Sequence, residues 1–353
     1  MARKKKKKSS NLKLIVLSIL GMIVLFSAIF GYHFYSYIYM RNVKMEVDNV
    51  EFYIHSDWNF EDVSNSLKEQ GIIKNQESFE YVAGLKGYDS NVKPGKYLIQ
   101  NKWSNSDLIN HIRLSGNQIP VKVTFHNISH LTQLAGLIAK DIEADSTEII
   151  TAILDKNWME TNGFTKETIQ AIFIPNTYEI YWSTTGHQFV SRMYKEYQHF
   201  WSVDNQKKAE ELGLTPVEVS TLASIVEAET KKADEMPKVA GLYLNRLTIG
   251  MRLQSDPTVV FAMNKPGVHR VYYADLKTES PYNTYIHTGL PPGPIGFPST
   301  KALNAVLNHT KSNYLYMCAK PDYSGYHNFA SSFKKHQQYA AKYRAFLRKE
   351  GIR

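Results

Sequence analysis

Thr215-Pro-Val-Glu-Val-Ser-Thr-Leu-Ala-Ser-Ile-Val-Glu-Ala-Glu-Thr230 is the stretch on which the architecture of this 353-residue chain turns. Thr215 is a helix N-cap, Pro216 suits the first helical position, and Glu218 completes a capping box. Val219, Leu222, Ala223 and Val226 then recur at helical spacing as one apolar stripe, which predicts a helix packed into a domain core. Two carboxylates close the helix. At ~100° per residue, Glu227 lies about 80° to one side of the Val219 direction and Glu229 about 80° to the other. They diverge by roughly 160° and cannot readily serve one substrate atom together. One should face a working cleft while the other bonds elsewhere, and an acid beside an apolar stripe has its pKa raised by desolvation.

Downstream, Gly250 stops a further helix, and Gln254 and Asp256 follow in a non-helical turn stiffened by Pro257. Both are candidates to hydrogen-bond a polar ligand, although Asp256 equally suits a cap for Thr258. Tyr282, Asn283 and Tyr285 precede the rigid Gly289-Leu-Pro-Pro-Gly-Pro294 loop. Tyrosines there suit stacking on a ligand ring, with ordinary packing as the plain alternative. The apolar run 314–319 reads as a buried strand holding the single cysteine, Cys318, so an internal disulfide and a multi-cysteine metal site are both excluded. His287 and His327 sit near turns, as general bases or as structural residues. No HExxH and no pair of histidines one helical turn apart suggests a metal. Upstream, Phe189, Met193, Tyr197 and Trp201 recur every fourth residue and predict a helix over 189–201. Amphipathic helices are expected over 131–142 and 146–154, and a strand over 121–125 opens this larger α+β domain, 119–353.

The N-terminal side has its own logic. Residues 43–118 read as a small α+β domain: a strand at 52–54, a capped helix from Asn59 to the stop at Gly71, and a helix over 77–85. A strand over 96–99 and a helix opened by Ser104 complete it. Ahead of it, 14–39 lacks any residue of fixed charge, is long enough to cross a ~30 Å hydrocarbon core, and ends in the aromatic belt Tyr32, Phe34, Tyr35, Tyr37 and Tyr39. Arg3, Lys4 to Lys8 and Lys13 form a basic tail over 1–13, leaving about +2 of the formal +9 to the rest. By the positive-inside rule the tail stays cytoplasmic and the bulk is exported. Ser27 and Ala28 make a poor cleavage site inside so long a run, so an uncleaved single-pass anchor is expected in the cell membrane. A chain basic mainly in its tail is a poor nucleic-acid binder.

"LASIVEAET" at 222–230, "VAGLYLNRL" at 239–247, "GMRLQSDPTVVFAM" at 250–263, "SPYNTYIHTGLPPGPIGFPS" at 280–299 and "NYLYMCAK" at 313–320 occur in order from Pro120 onward. Together they resemble the YceG-like family of endolytic murein transglycosylases. "GIIKNQESF", "KPGKYLI" and "SNSDLINHI" look like the LysM-like module found in this position in that family. The resemblance implies that Glu227 is catalytic, with Gln254, Asp256, Tyr282, Asn283, Tyr285 and Glu179 as substrate-binding candidates. It also implies cleavage within nascent peptidoglycan strands, 1,6-anhydro-N-acetylmuramic acid ends, and action beside the peptidoglycan synthesis machinery, with no metal and no cofactor. A hydrolytic glycosidase needs two carboxylates, whereas a lytic transglycosylase manages with one, because the sugar's own 6-hydroxyl replaces water. Asn176 stands where the family often has aspartate, which suggests that this position shapes the cleft or a turn. A muramidase-type hydrolase using Glu179 or Asp256, and a non-catalytic wall-binding scaffold, are the rival expectations.

Overall fold

The computed structural model describes residues 6–126, 128–264 and 271–351, so the first five positions of the basic tail lie outside the described residues. Helix α1 (Lys6–Tyr39) contains an apolar stretch, Leu12–Tyr39, whose 28 residues give about 42 Å of helix, enough to cross a membrane. The chain divides into two compact units. One runs up to residue 121 and takes in 181–183; the other comprises 122–180 and 184 onward.

In the first unit, β1 (Asn49–Ile54) leads into α2 (Phe60–Glu69) and α3 (Gln76–Leu85). Then β2 (Gly95–Gln100) returns antiparallel to β1, from Asn49 opposite Gln100 to Ile54 opposite Gly95, and α4 (Asn105–Ile112) follows. Strand alternation turns Phe52, Ile54, Tyr97 and Ile99 inward onto Val63, Leu67, Phe79 and Ile109. The helix starts read from the sequence carry real caps: Asn59 and Ser104 form boxes with Asp62 and Asp107, and Asn75 accepts the Ser78 N–H. The far end of α1 is fastened here. Phe34 and Tyr37 meet Tyr81 edge-on, and the Asn105 amide donates to the Tyr37 carbonyl at 2.9 Å.

The second unit begins within β3 (Pro120–Phe125), which pairs with β4 (Asn176–Tyr181) after α5 (Leu131–Ile138), α6 (Ser146–Ile153) and α7 (Lys156–Thr161). Helices α8 (Gly186–Phe200), α9 (Val203–Glu211), α10 (Pro216–Glu229), α11 (Met236–Thr248), α12 (Asp256–Met263) and α13 (Thr300–Leu307) follow. The antiparallel hairpin of β5 (Tyr316–Ala319) and β6 (His327–Ala330) and then α14 (Phe333–Lys349) end the unit.

Helix α10 is the hub, packed against α9, α11, α12 and α13. It is buried all round from Val219 to Val226, not along one stripe as the sequence suggested. Its hydroxyls make this affordable in free energy: Ser220, Thr221 and Ser224 donate to the carbonyls of Pro216, Val217 and Thr221, so none of the three is stranded in the core. Two other expectations change. Asp256 does not lie in an irregular turn but is the first residue of α12, with Ser255 before it as N-cap. Cys318 does lie in a strand, yet it is only half-buried.

Candidate active site

The two carboxylates at the end of α10 do point to different places, and their surroundings decide what each can do. Glu227 accepts the backbone N–H of Ser299 at 2.7 Å, and Ser299 is the N-cap of α13, whose own hydroxyl accepts the Ala302 N–H. A carboxylate at a helix N-terminus is favoured by the helix dipole, so Glu227 pins α10 to α13. Glu229 instead reaches a recess of about 210 Å³ within the second unit. At the recess the placement is thus the reverse of the sequence expectation, which had put Glu227 in the cleft. Its volume is below the ~300–1,000 Å³ of a pocket that engulfs a small molecule, so it suits one part of a longer ligand.

Glu229 is unevenly bonded. Its Oε1 accepts the Tyr243 hydroxyl at 2.7 Å and the Ser255 hydroxyl at 2.5 Å. Among the described residues Oε2 accepts nothing. Burial raises the Glu229 pKa, and the nearby Asp256 adds to the rise, against the two hydroxyl donors and His327, which lower it. With both donors on Oε1, the proton of the neutral carboxyl belongs on Oε2, facing the open side. Tyr243, fully buried on α11, is itself pushed well above the ordinary tyrosine range by burial and by Glu229, so it remains a donor.

The walls come from separate segments. Arg246, one turn beyond Tyr243, is buried and donates from Nε to the Leu315 carbonyl at 2.6 Å and from Nη1 to the Leu253 carbonyl at 2.5 Å, with its guanidinium over the Tyr316 ring. It thereby ties the hairpin and the 252–253 segment to α11. Gln254 lines the recess from a backbone with φ of +52°, the left-handed region, held by its N–H to the Thr284 carbonyl at 3.1 Å. Asp256 lines it too and accepts the Tyr285 hydroxyl at 2.5 Å. That tyrosine's pKa is raised by burial first and by Asp256 next. Met317, Cys318 and His327 of the hairpin close the remaining side. Burial pushes the Cys318 thiol above its ordinary pKa, which disfavours the thiolate a nucleophile needs.

Of the expected site residues, Gln254, Asp256 and Tyr285 therefore come together with Glu229. Others do not join them. Asn283 is fully buried and spends its amide on the carbonyls of Leu276 and Thr278 and its oxygen on the Tyr285 N–H, so it holds a loop and reads no ligand here. Tyr282 packs on Phe261. Glu179 is exposed on β4, and Asn176, at the start of that strand, accepts the Thr177 N–H. His287 is exposed. Sequence reasoning passed over Tyr243, Arg246 and Ser255; the spacing of Tyr243 and Arg246, three apart on one helix face, was the available signal.

These features define a class: an α+β protein with a helix of membrane-crossing length and an acid-bearing polar recess. The family model described as the YceG-like family matches residues 52–342, and the chain belongs to that family. It is 28% identical over 297 residues to the endolytic murein transglycosylase of Bacillus subtilis (strain 168), covering 80% of this chain and 81% of that one. The endolytic murein transglycosylase of Streptococcus pneumoniae serotype 2 (strain D39) is 28% identical over 347 residues, 88% of this chain but 62% of the relative's own length. A 2.6 Å crystal structure of a YceG-like protein from Listeria monocytogenes has the same fold, with a TM-score of 0.54 at 23% identity, covering 82% of this chain and 99% of that one.

Proposed function

We propose that the chain is a lytic transglycosylase that cuts within the glycan strands of nascent peptidoglycan and leaves 1,6-anhydro-N-acetylmuramic acid ends, with Glu229 as its acid. The supporting observation is the carboxyl of Glu229, raised in pKa by burial and bonded on one oxygen only, in a protein whose relatives bear that name. The acid gives the Oε2 proton to the glycosidic oxygen as the bond to the anomeric carbon breaks. The sugar's own 6-hydroxyl attacks that carbon, and its high effective molarity removes the need for bound water. Gln254 and Asp256 are placed to hold acetamido and hydroxyl groups beside it.

Helix α1 serves as a single-pass anchor with its basic end in the cytoplasm, and the rest works outside, beside the machinery that makes the strands. The first unit is read as LysM-like, since its strand–helix–helix–strand order encloses one small core.

Asp256 in the same recess favours one second reading, a muramidase that uses two carboxylates and water. Product mass separates the two. Incubation of the full-length protein with uncrosslinked strands is expected to yield ends lighter by one water than reducing ends; reducing ends alone would overturn the transglycosylase reading.

A further inference from the structure

We propose that His327 is a second catalytic residue of this recess, the acceptor of the proton that the sugar's 6-hydroxyl loses, and that Glu235 is the residue that positions it. The proposal rests on the transglycosylase reading above. Glu235, just before α11, is a buried carboxylate, 3% exposed, so its bonding must be satisfied within the protein. Its Oε1 accepts the backbone N–H of His327 at 2.7 Å. Its Oε2 takes the His327 Nδ1 at 2.8 Å and the Thr230 hydroxyl at 3.1 Å. Among the described residues His327 is its only basic partner within 4.0 Å.

A carboxylate that holds both the main chain and the ring of one histidine fixes the ring's orientation and keeps the hydrogen on Nδ1. Nε2 is then left as the acceptor, and among the described residues it has no hydrogen-bond partner. His327 lines the recess alongside Glu229. The charged groups around it are Glu229 on α10, Glu235 just before α11, Arg246 on α11 and Asp256 on α12. Lys232 and Lys320 lie beyond, over the neighbouring Tyr326 ring.

Glu229, for its part, has one oxygen free, and that oxygen carries the proton destined for the leaving sugar. The step balances without water. The bond from the anomeric carbon to the leaving oxygen breaks, and that oxygen takes the Glu229 proton. The 6-oxygen bonds to the anomeric carbon, and its proton passes to His327 Nε2. Return of that proton to Glu229 through solvent resets the site.

The test uses the full-length protein in detergent, uncrosslinked glycan strands, product mass, and kcat against pH. His327→Gln is expected to lower kcat ~100-fold or more, with KM changed far less, and to remove the acidic limb of the profile. Glu235→Gln is expected to move that limb to lower pH, because the imidazole loses the carboxylate that favours its charged form. Added imidazole should partly restore a His327→Ala variant. A His327→Gln enzyme with unchanged kcat and its acidic limb in place would overturn the proposal, as would a limb that stays put in Glu235→Gln. Should His327→Gln fail to fold, the Glu235→Gln limb decides. Anhydro ends from the native protein together with an unchanged His327→Gln rate would sink this proposal alone. Reducing ends from the native protein would sink the transglycosylase reading itself.

Discussion

Glu229 and Glu227 are two residues apart and chemically identical, yet their neighbours give them opposite work. For Glu229, burial raises the pKa above its ordinary value of 4.5. The stability linked to its neutral form is therefore complete below 4.5 and is lost as pH rises through the raised value. Glu229→Gln removes that loss while keeping an oxygen for Tyr243 and Ser255. Thermal unfolding should therefore show the variant more stable than the native protein at pH 7, with the difference closing at acid pH, while strand cleavage falls to background. A variant that cleaves at the native rate, or gains no stability at pH 7, would contradict the assignment. Glu227→Ala should behave the other way round. It leaves the Ser299 N–H without its acceptor and costs about 1–2 kcal/mol in a denaturant melt, with cleavage by the folded fraction retained. The divergence of the two side chains was legible from helical geometry alone. Which of them meets the recess was not, because that depends on where α11, Ser255 and α13 dock, and those contacts lie between 14 and 72 residues away along the chain.

At the level of elements, local signals carried well and distant ones did not. Caps at Asn59, Ser104 and Thr215 marked helix starts because capping is written within four residues. The start of α12 was displaced by one residue: the sequence offered Asp256 as a possible cap, whereas the N-cap is Ser255, which spends its hydroxyl on Glu229 and not on its own helix. Two glycines show the same contrast. Gly250, with φ of +66° and open space around it, is a helix stop readable from sequence. Gly293 looks like one more residue of a rigid loop, yet a Cβ there would run into the backbone carbonyl of Glu167. Neither backbone can give way cheaply. Gly293→Ala is thus expected to destabilise by about 1–3 kcal/mol or more, and Gly250→Ala by only about 1 kcal/mol. Urea melts of the two variants check the order, and equal losses would mean that the 289–294 loop moves aside.

For the whole molecule the decisive question is whether α1 stays. A signal sequence needs an apolar core of only about 7–15 residues ending at small side chains. Here the helix continues unbroken past Ser27 and Ala28 to Tyr39. Its last turns are used in the first unit's packing, where Tyr37 meets Tyr81 and its carbonyl takes the buried Asn105 amide. Asn105 also bonds Asn42 and Ser78, so the end of the helix, α3 and α4 share one polar junction. A helix joined in this way to the folded part would transmit a membrane tether without a slack linker. The apolar span itself was fully legible in the sequence; the junction was not, since Asn105 lies 68 residues from Tyr37. The chain is accordingly expected in the membrane fraction at its full mass of 40.5 kDa, resistant to high salt and alkaline carbonate. Protease added outside the cytoplasmic membrane should digest the portion after residue 40 and spare the basic end. Release by salt, or a mass that begins after residue 28, would show that the helix is removed and that the protein works untethered.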